Sequence, residues 1–172
     1  MLKAAGLILI VCSCTGLGFS MSLGMTRRMQ ALEAILRMVV YLKGEISYGG
    51  ASLFDAFTGA GGKLTGECRS LCLGVSQALL RSEGSSFGRI FRDCAKDSPL
   101  RSELSGEEEE GFLSLGERLG YLDLEMQKKQ LAMYEQELSR QILLLKGELP
   151  GKKKVYQSLG LLGGLLLAVL VW

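Results

Sequence analysis

The sequence predicts an all-α protein, a six-helix bundle domain flanked by an N-terminal and a C-terminal transmembrane helix. No stretch alternates apolar and polar residues in the manner of a strand, whereas apolar residues recur at helical spacing along most of the chain. Charge is strongly segregated, because only Lys3 precedes Arg27 and no charged residue follows Lys154. We therefore divide the chain into an N-terminal span (residues 1–26), a helical domain (residues 27–154) and a C-terminal span (residues 155–172).

The composition argues against catalysis. The 172 residues contain no histidine, which removes Ser-His-Asp, Cys-His and His-metal chemistry together. The five cysteines are odd in number and irregular in spacing, so they predict neither a disulfide framework nor a metal site. The 20 basic and 18 acidic residues nearly balance, so nothing draws the chain to nucleic acid. We expect no enzyme activity, no cofactor, no metal and no small-molecule substrate.

The first apolar segment, residues 4–26, is long enough to cross a bilayer as a helix. Two alternatives compete with an uncleaved span. A cleaved signal peptide is one, although no Ala-x-Ala cleavage site is present. Lipid modification of Cys14 in the sequence Val-Cys-Ser-Cys is the other, although the apolar segment continues well beyond that cysteine. We expect the span to be retained.

The charged flanks predict how the domain faces the membrane. Arg27 and Arg28 follow the first span, and Lys152, Lys153 and Lys154 precede the second. Lysine and arginine concentrate in cytoplasmic flanks. Residues 27–154 are therefore expected in the cytoplasm, with both chain termini on the outer side.

Both spans carry small residues four positions apart. Such spacing lets helix backbones approach closely in lipid, although glycine is also common in membrane helices for other reasons. The candidate helix-packing residues are Gly16, Ser20, Gly24, Gly160 and Gly164. No acidic or basic residue lies within residues 4–26 or 155–172, which disfavours a transport role.

The soluble helices follow in order. A first rod over residues 25–48 places Met29, Leu32, Leu36, Val39, Val40 and Lys43 along one stripe and ends at Gly49. Ser52 caps a short helix over residues 53–58, and residues 59–62 form a glycine loop. A third helix covers residues 65–83, with Leu71, Val75, Ala78 and Leu79 facing inward.

Capping signals open each of the last three helices. A fourth helix begins after Ser85 or Ser86 and stops before Pro99. Ser105 and Glu108 form a capping box for a fifth, which buries Phe112, Leu115 and Leu119 and ends at Gly120. Asp123 caps a long sixth helix with Leu124, Leu131, Leu138 and Leu145 at seven-residue spacing, and Pro150 breaks or kinks it.

Three stretches resemble the stage III sporulation protein AB family of endospore-forming bacteria. Residues 45–53 (EISYGGASL) are similar to that family's Glu-Ile-x-Tyr-Gly-x-x-Pro-Leu segment, with Ser52 in place of proline. Residues 115–123 (LGERLGYLD) and Gln127 are similar to its Phe-Gly-Glu-x-Leu-Gly-x-x-Asp…Gln segment, with Leu115 in place of an aromatic residue. Residues 156–160 and the Leu-rich end resemble its C-terminal anchor.

The resemblance implies a non-enzymatic platform component of the channel between mother cell and forespore. That family is similar to the F-type inner-membrane platform protein of type II secretion and type IV pilus machines, whose cytoplasmic domain is a six-helix bundle. The implied partners are other stage III channel proteins, including the AA-type ATPase. The two apolar segments add the membrane as a partner, and the sequence leaves open whether a second copy of the chain is another. The implied location is the mother-cell-derived membrane around the forespore.

Partner-binding candidates come from these shared motifs and from one acidic run. They are Glu45, Tyr48, Glu107, Glu108, Glu109, Glu110, Glu117, Arg118 and Tyr121. The structural interpretation is that the motif glycines satisfy backbone needs, that Tyr48 and Leu119 are core residues, and that the acidic run is a solvated helix start. The competing functions are a membrane-anchored or lipoprotein interaction domain facing outward and a small channel-forming protein.

Overall fold

The computed structural model of the protein describes residues 2–81 and 84–171. Within them are seven α-helices and no strand, which confirms the all-α prediction. The helices are α1 (Leu2–Gly49), α2 (Leu53–Lys63), α3 (Gly66–Arg81), α4 (Phe87–Lys96), α5 (Leu100–Glu103), α6 (Gly106–Leu119) and α7 (Leu124–Val171). The four-residue α5 was not predicted. Residues 82 and 83, where the third predicted helix ends, lie outside the described residues.

The chain divides into two compact units, residues 1–29 with 143–172 and residues 30–142. The larger unit contains α2 to α6, with α2 packed on α3 and with α4 packed on α3, α5 and α6. The C-terminal part of α1 and the N-terminal part of α7 complete it, and Lys43 of α1 forms an ion pair with Glu135 of α7. Its core is aliphatic on the long helices and aromatic at the crossing of α2, α4 and α6.

Local sequence signals explain most of the helix ends. The Ser52 hydroxyl accepts a hydrogen bond from the backbone N–H of Asp55 at the start of α2, and Asp123 accepts one from Met126 at the start of α7. The predicted capping box is present, with Ser105 and Glu108 each bonded to the other's backbone N–H. Gly50 has a φ of +54°, a conformation that suits glycine and ends α1.

The glycine loop predicted over residues 59–62 is wrong, because α2 continues to Lys63. These glycines allow side chains of neighbouring helices to pack closely and do not form a flexible loop. A Cβ atom on Gly59 would lie 2.8 Å from the Glu45 carboxyl carbon, and one on Gly61 would lie 2.8 Å from a methyl carbon of Leu73. Each glycine thus lets a side chain of another helix lie directly against the α2 backbone.

The stripe predicted on the first rod is partly wrong. The structure buries Ala31, Leu32, Ile35, Met38, Val39, Leu42 and Ile46, whereas Val40 is exposed and Leu36 is only partly buried. On α7, Leu131 and Leu138 are buried as the seven-residue pattern predicts, but Leu124 is exposed at the helix start and Leu145 is only partly buried. Helix α7 is continuous through Pro150, so of the predicted break or kink the break does not occur.

The membrane-span prediction is not confirmed. Among the fully described residues, no helix is long and apolar enough to cross a membrane. Both predicted spans include residues whose side chains the structure does not describe. These are residues 1–5, 7, 8, 10 and 11 in the first span, and residues 168 and 170–172 in the second.

Two buried cysteines of α3 are expected to make the stability of the larger unit depend on pH in the alkaline range. Burial raises the pKa of the Cys68 thiol to about 11 and that of Cys72 to about 12. The unfolded chain releases these protons near pH 8.5, so the stability that depends on the neutral thiols is complete below that pH and is lost as pH rises through 11 and 12.

We expect the free energy of unfolding to fall by about 1–2 kcal/mol per thiol between pH 7.5 and pH 10. Urea unfolding at both pH values measures this loss. Replacing both cysteines by alanine should reduce this loss of stability. The pKa of the buried Tyr134 is also raised, but its effect on stability is the same in both proteins. An equal loss in the two proteins would contradict the assignment to Cys68 and Cys72.

Candidate partner-binding surface

The first motif residues lie at the end of α1 and have different environments. The Glu45 carboxylate is paired with Lys63 at 2.6 Å and packs against Gly59. Tyr48 is 95% exposed, so the core interpretation of this tyrosine is wrong. Glu45 therefore has a structural role that joins α1 to α2, and Tyr48 is the residue of this motif that presents an open aromatic surface.

The acidic run at the start of α6 is also divided. Glu108 is buried in the capping box, and the Glu109 carboxylate is paired with Arg101 of α5 at 2.5 Å. Glu107 and Glu110 are exposed. Two of the four predicted acidic contacts are thus occupied within the chain, and the other two remain open at the helix N-terminus, where carboxylates are favourable in any case.

The third group lies at the turn between α6 and α7. Glu117 forms an ion pair with Arg92 of α4, while Arg118 is exposed and Tyr121 is 79% exposed. The side-chain amide of Gln127 donates hydrogen bonds to the carbonyl oxygens of Leu119 and Leu122, at 2.9 and 3.1 Å. These two bonds hold the backbone of the turn against α7.

The glycines of this motif allow α4 and α6 to cross at close range. A Cβ atom on Gly120 would lie 3.1 Å from the Cβ of Phe87. One on Gly116 would overlap the ring of Phe91, and one on Gly88 of α4 would lie 2.9 Å from the Cα of Glu117. Gly116 and Gly120 therefore have a structural role in this crossing, and Leu119 is a core residue. The crossing also places the Arg92–Glu117 ion pair beside Tyr121.

Two concave surfaces flank Tyr121. The first, about 440 Å³, is lined mostly by polar and charged residues, namely Ser86, Gly88, Arg89, Arg92 and Glu117. The second, about 370 Å³, is mainly apolar and is lined by Arg118, Leu122, Met126, Lys129, Gln130 and Met133. Sequence analysis did not single out Arg89, Met126 or Met133. The four- and seven-residue spacing of Leu122, Met126 and Met133 was the available signal.

In the smaller unit, the close helix approach lies at Gly18 and Gly160. A Cβ atom on Gly18 would lie 2.6 Å from the carbonyl oxygen of Tyr156, and one on Gly160 would lie 2.9 Å from that of Cys14. Gly18 was not among the predicted packing residues. Among the predicted packing residues, a Cβ atom on Gly16 or Gly24 would have no neighbouring atom within 4 Å. Ser20 is exposed and Gly164 is buried.

Comparison with known proteins gives one match. The model of the family described as Stage III sporulation protein AB matches residues 3–172. No match was found among curated proteins or among solved structures. The match covers both compact units and includes every motif residue discussed above.

Proposed function

Because the chain belongs to the stage III sporulation protein AB family, we propose that it is a non-enzymatic platform component of the sporulation channel. In this proposal it links a cytoplasmic ATPase of the AA type to membrane components between mother cell and forespore. The family match across residues 3–172 is the observation that carries the proposal. A role in sporulation follows from the family itself, and the platform role is the finer inference.

The membrane part of the proposal rests on the sequence. Residues 4–26 and 155–172 contain no charged residue and are flanked by Arg27, Arg28 and Lys152 to Lys154. The backbone approach at Gly18 and Gly160 is the kind of small-residue contact on which helix association in lipid depends. We therefore propose that both ends of the chain cross the mother-cell-derived membrane around the forespore and that the larger unit lies in the cytoplasm.

The partner-binding part rests on the exposed residues of the shared motifs. Tyr48 and Tyr121 are the two most exposed aromatic residues among those described, and both lie in segments that resemble the family motifs. Tyrosine and arginine are enriched among the contact residues that carry much of the binding energy at interfaces, and Tyr121 lies beside Arg92 and Arg118. Buried or paired positions such as Glu45, Glu108 and Glu117 are better explained as supports for these surfaces.

Co-purification tests this function. The full chain with an affinity tag, extracted by mild detergent from membranes of sporulating cells, is expected to retain the AA-type ATPase. A tagged two-span membrane protein of the same cells serves as the control for non-specific retention. Recovery of the chain only in the soluble fraction, or its recovery from membranes without the ATPase, would contradict the proposal.

A further inference from the structure

The start of α7 carries two apolar faces. Leu131 and Leu138 are buried in the core of the larger unit. Met126 and Met133 are 55% and 57% exposed. At about 100° per residue, Met126, Lys129 and Met133 fall within a sector of about 60°, and Leu131 and Leu138 lie about 120–140° from Met126. A helix on the surface of a domain usually has one apolar stripe. The second stripe, formed by Met126 and Met133, is more than half exposed, so the larger unit does not cover it.

This second stripe forms the floor of the apolar concave surface, which we name the methionine groove and define by Arg118, Tyr121, Leu122, Met126, Lys129 and Met133. No carboxylate lines it. Among the described residues, Arg118 and Lys129 form no ion pair, whereas the neighbouring cations Arg92 and Lys128 are paired with Glu117 and Glu125. The groove is therefore an apolar floor bordered by two cations that form no ion pair and lined by no carboxylate.

The turn that borders the groove is fixed by hydrogen bonds. The Gln127 side chain bonds to the carbonyl oxygens of Leu119 and Leu122 on either side of Tyr121, so the backbone of this turn loses little conformational entropy when a partner binds. The methionines supply flexible, polarisable contacts that adapt to varied apolar side chains. A tyrosine and an arginine beside such a floor are residues that often contribute most of the affinity at protein interfaces.

We propose that the methionine groove binds a helical segment of another protein that carries acidic residues on either side of an apolar face. The helical part of the groove, residues 124–133, extends over about 14 Å along the axis of α7, which fits a partner helix of two to three turns. Its carboxylates complement Arg118 and Lys129, and its apolar side chains cover Met126 and Met133. The proposal rests on the proposed function only in that the protein acts by binding another protein.

A second copy of the chain is a poorer occupant. The acidic start of α6 is the obvious source of carboxylates, but its apolar residues Phe112 and Leu115 are buried in their own core. Glu107 and Glu110 could therefore supply charge to a neighbouring copy without supplying an apolar face. Charge complementarity and the apolar floor are satisfied together by an acidic amphipathic helix of a different protein.

Site-specific photo-crosslinking in sporulating cells tests the proposal with the full chain. A photo-reactive amino acid replaces Met133, which is exposed and outside the core, and the crosslinked peptide is sequenced by mass spectrometry. We expect a segment of another protein with at least two Asp or Glu residues around apolar residues at helical spacing. A peptide from a second copy, a peptide without acidic residues, or no adduct would overturn the proposal.

Charge reversal makes the test specific. Arg118→Glu and Lys129→Glu together are expected to reduce the adduct at least about tenfold, equivalent to about 1.4 kcal/mol. Arg69→Glu, an exposed substitution on α3, is the matched control and should leave the adduct unchanged. Helical circular dichroism of each purified chain checks folding, and equal adduct yields in the two variants would contradict the groove.

The outcome is separable from the ATPase assignment. An acidic segment captured at residue 133 in cells whose tagged chain fails to retain the ATPase would reject only the identity of the partner. Retention of the ATPase without any adduct at residue 133, combined with an adduct when the photo-reactive residue replaces Tyr48, would reject only the methionine groove.

Discussion

Replacing Phe91 by alanine is expected to lower the free energy of unfolding by about 4 kcal/mol, because it empties the centre of the aromatic core. Phe91 is 1% exposed, and its ring centroid lies 5.3 Å from that of Phe112 and 6.1 Å from those of Phe57 and Phe87. The packed helices around it cannot close the cavity without moving α4 relative to α6. Urea unfolding followed by circular dichroism measures the loss.

Phe54 on α2 provides the matched control for this substitution. Its side chain is only partly buried, and it belongs to none of the aromatic contacts in the cluster. Phe54→Ala is therefore expected to cost roughly half as much or less, because less apolar area is lost and no closed cavity forms. Equal losses for the two variants would show that the cluster around Phe91 is not the centre of the core.

Gly116→Ala is expected to be the most damaging of the small substitutions, at about 2–3 kcal/mol, because it overpacks the same crossing. The new Cβ would lie 2.6 Å from Cε1 of Phe91 and closer still to two other atoms of that ring. The ring is enclosed by three other phenylalanines and cannot turn aside freely. Alanine's higher helix propensity, about 1 kcal/mol over glycine, offsets only part of this cost.

Gly111→Ala, in the same helix, separates the cost of overpacking from the gain in helix propensity. Its Cβ would meet only the Tyr134 ring, at 3.9 Å, which is an ordinary contact. This variant is expected to be neutral or more stable by up to about 1 kcal/mol. In the Phe91→Ala background, Gly116→Ala should also cost little, since the atoms with which its methyl group overlaps are gone. Additive losses in the double variant would contradict the overlap of the Gly116 Cβ with the Phe91 ring.

Much of this fold could be predicted because its signals are local. The Ser105–Glu108 capping box, the Ser52 and Asp123 caps and the buried Phe112, Leu115 and Leu119 of α6 all depend on residues within a few positions of one another. Such patterns report directly on hydrogen bonds and on the face of one helix. They need no knowledge of the distant elements that the helix contacts.

The errors lie where a distant neighbour decides the outcome. The glycines over residues 59–62 suggested a loop because glycine loses more backbone freedom in a helix than other residues do. In the structure Gly59 and Gly61 are helical because Glu45 and Leu73 need the space that a side chain would occupy. Gly18 was missed for the same reason, since its contact with Tyr156 and Gly160 joins positions about 140 residues apart in the chain.

The candidate site was predicted in part. The resemblance to a family drew attention to Tyr121 and Arg118, which are exposed in the structure. Met126 and Met133 were overlooked because the seven-residue leucine pattern dominates the periodicity of α7. Two exposed methionines on another face of the helix are typical of an ordinary protein surface. Their significance depends on the turn that brings Tyr121 and Arg118 beside them, which no local pattern reveals.

Impermeant thiol labelling tests most directly the central claim that the larger unit lies inside the cell on a membrane-anchored chain. The labelled variant carries Leu80→Cys, a position 70% exposed on α3, with Cys12 and Cys14 replaced by serine. In intact non-sporulating cells that produce this variant, we expect membrane-bound protein that reacts only after permeabilisation. Labelling of residue 80 in intact cells would place the unit outside and contradict the platform role.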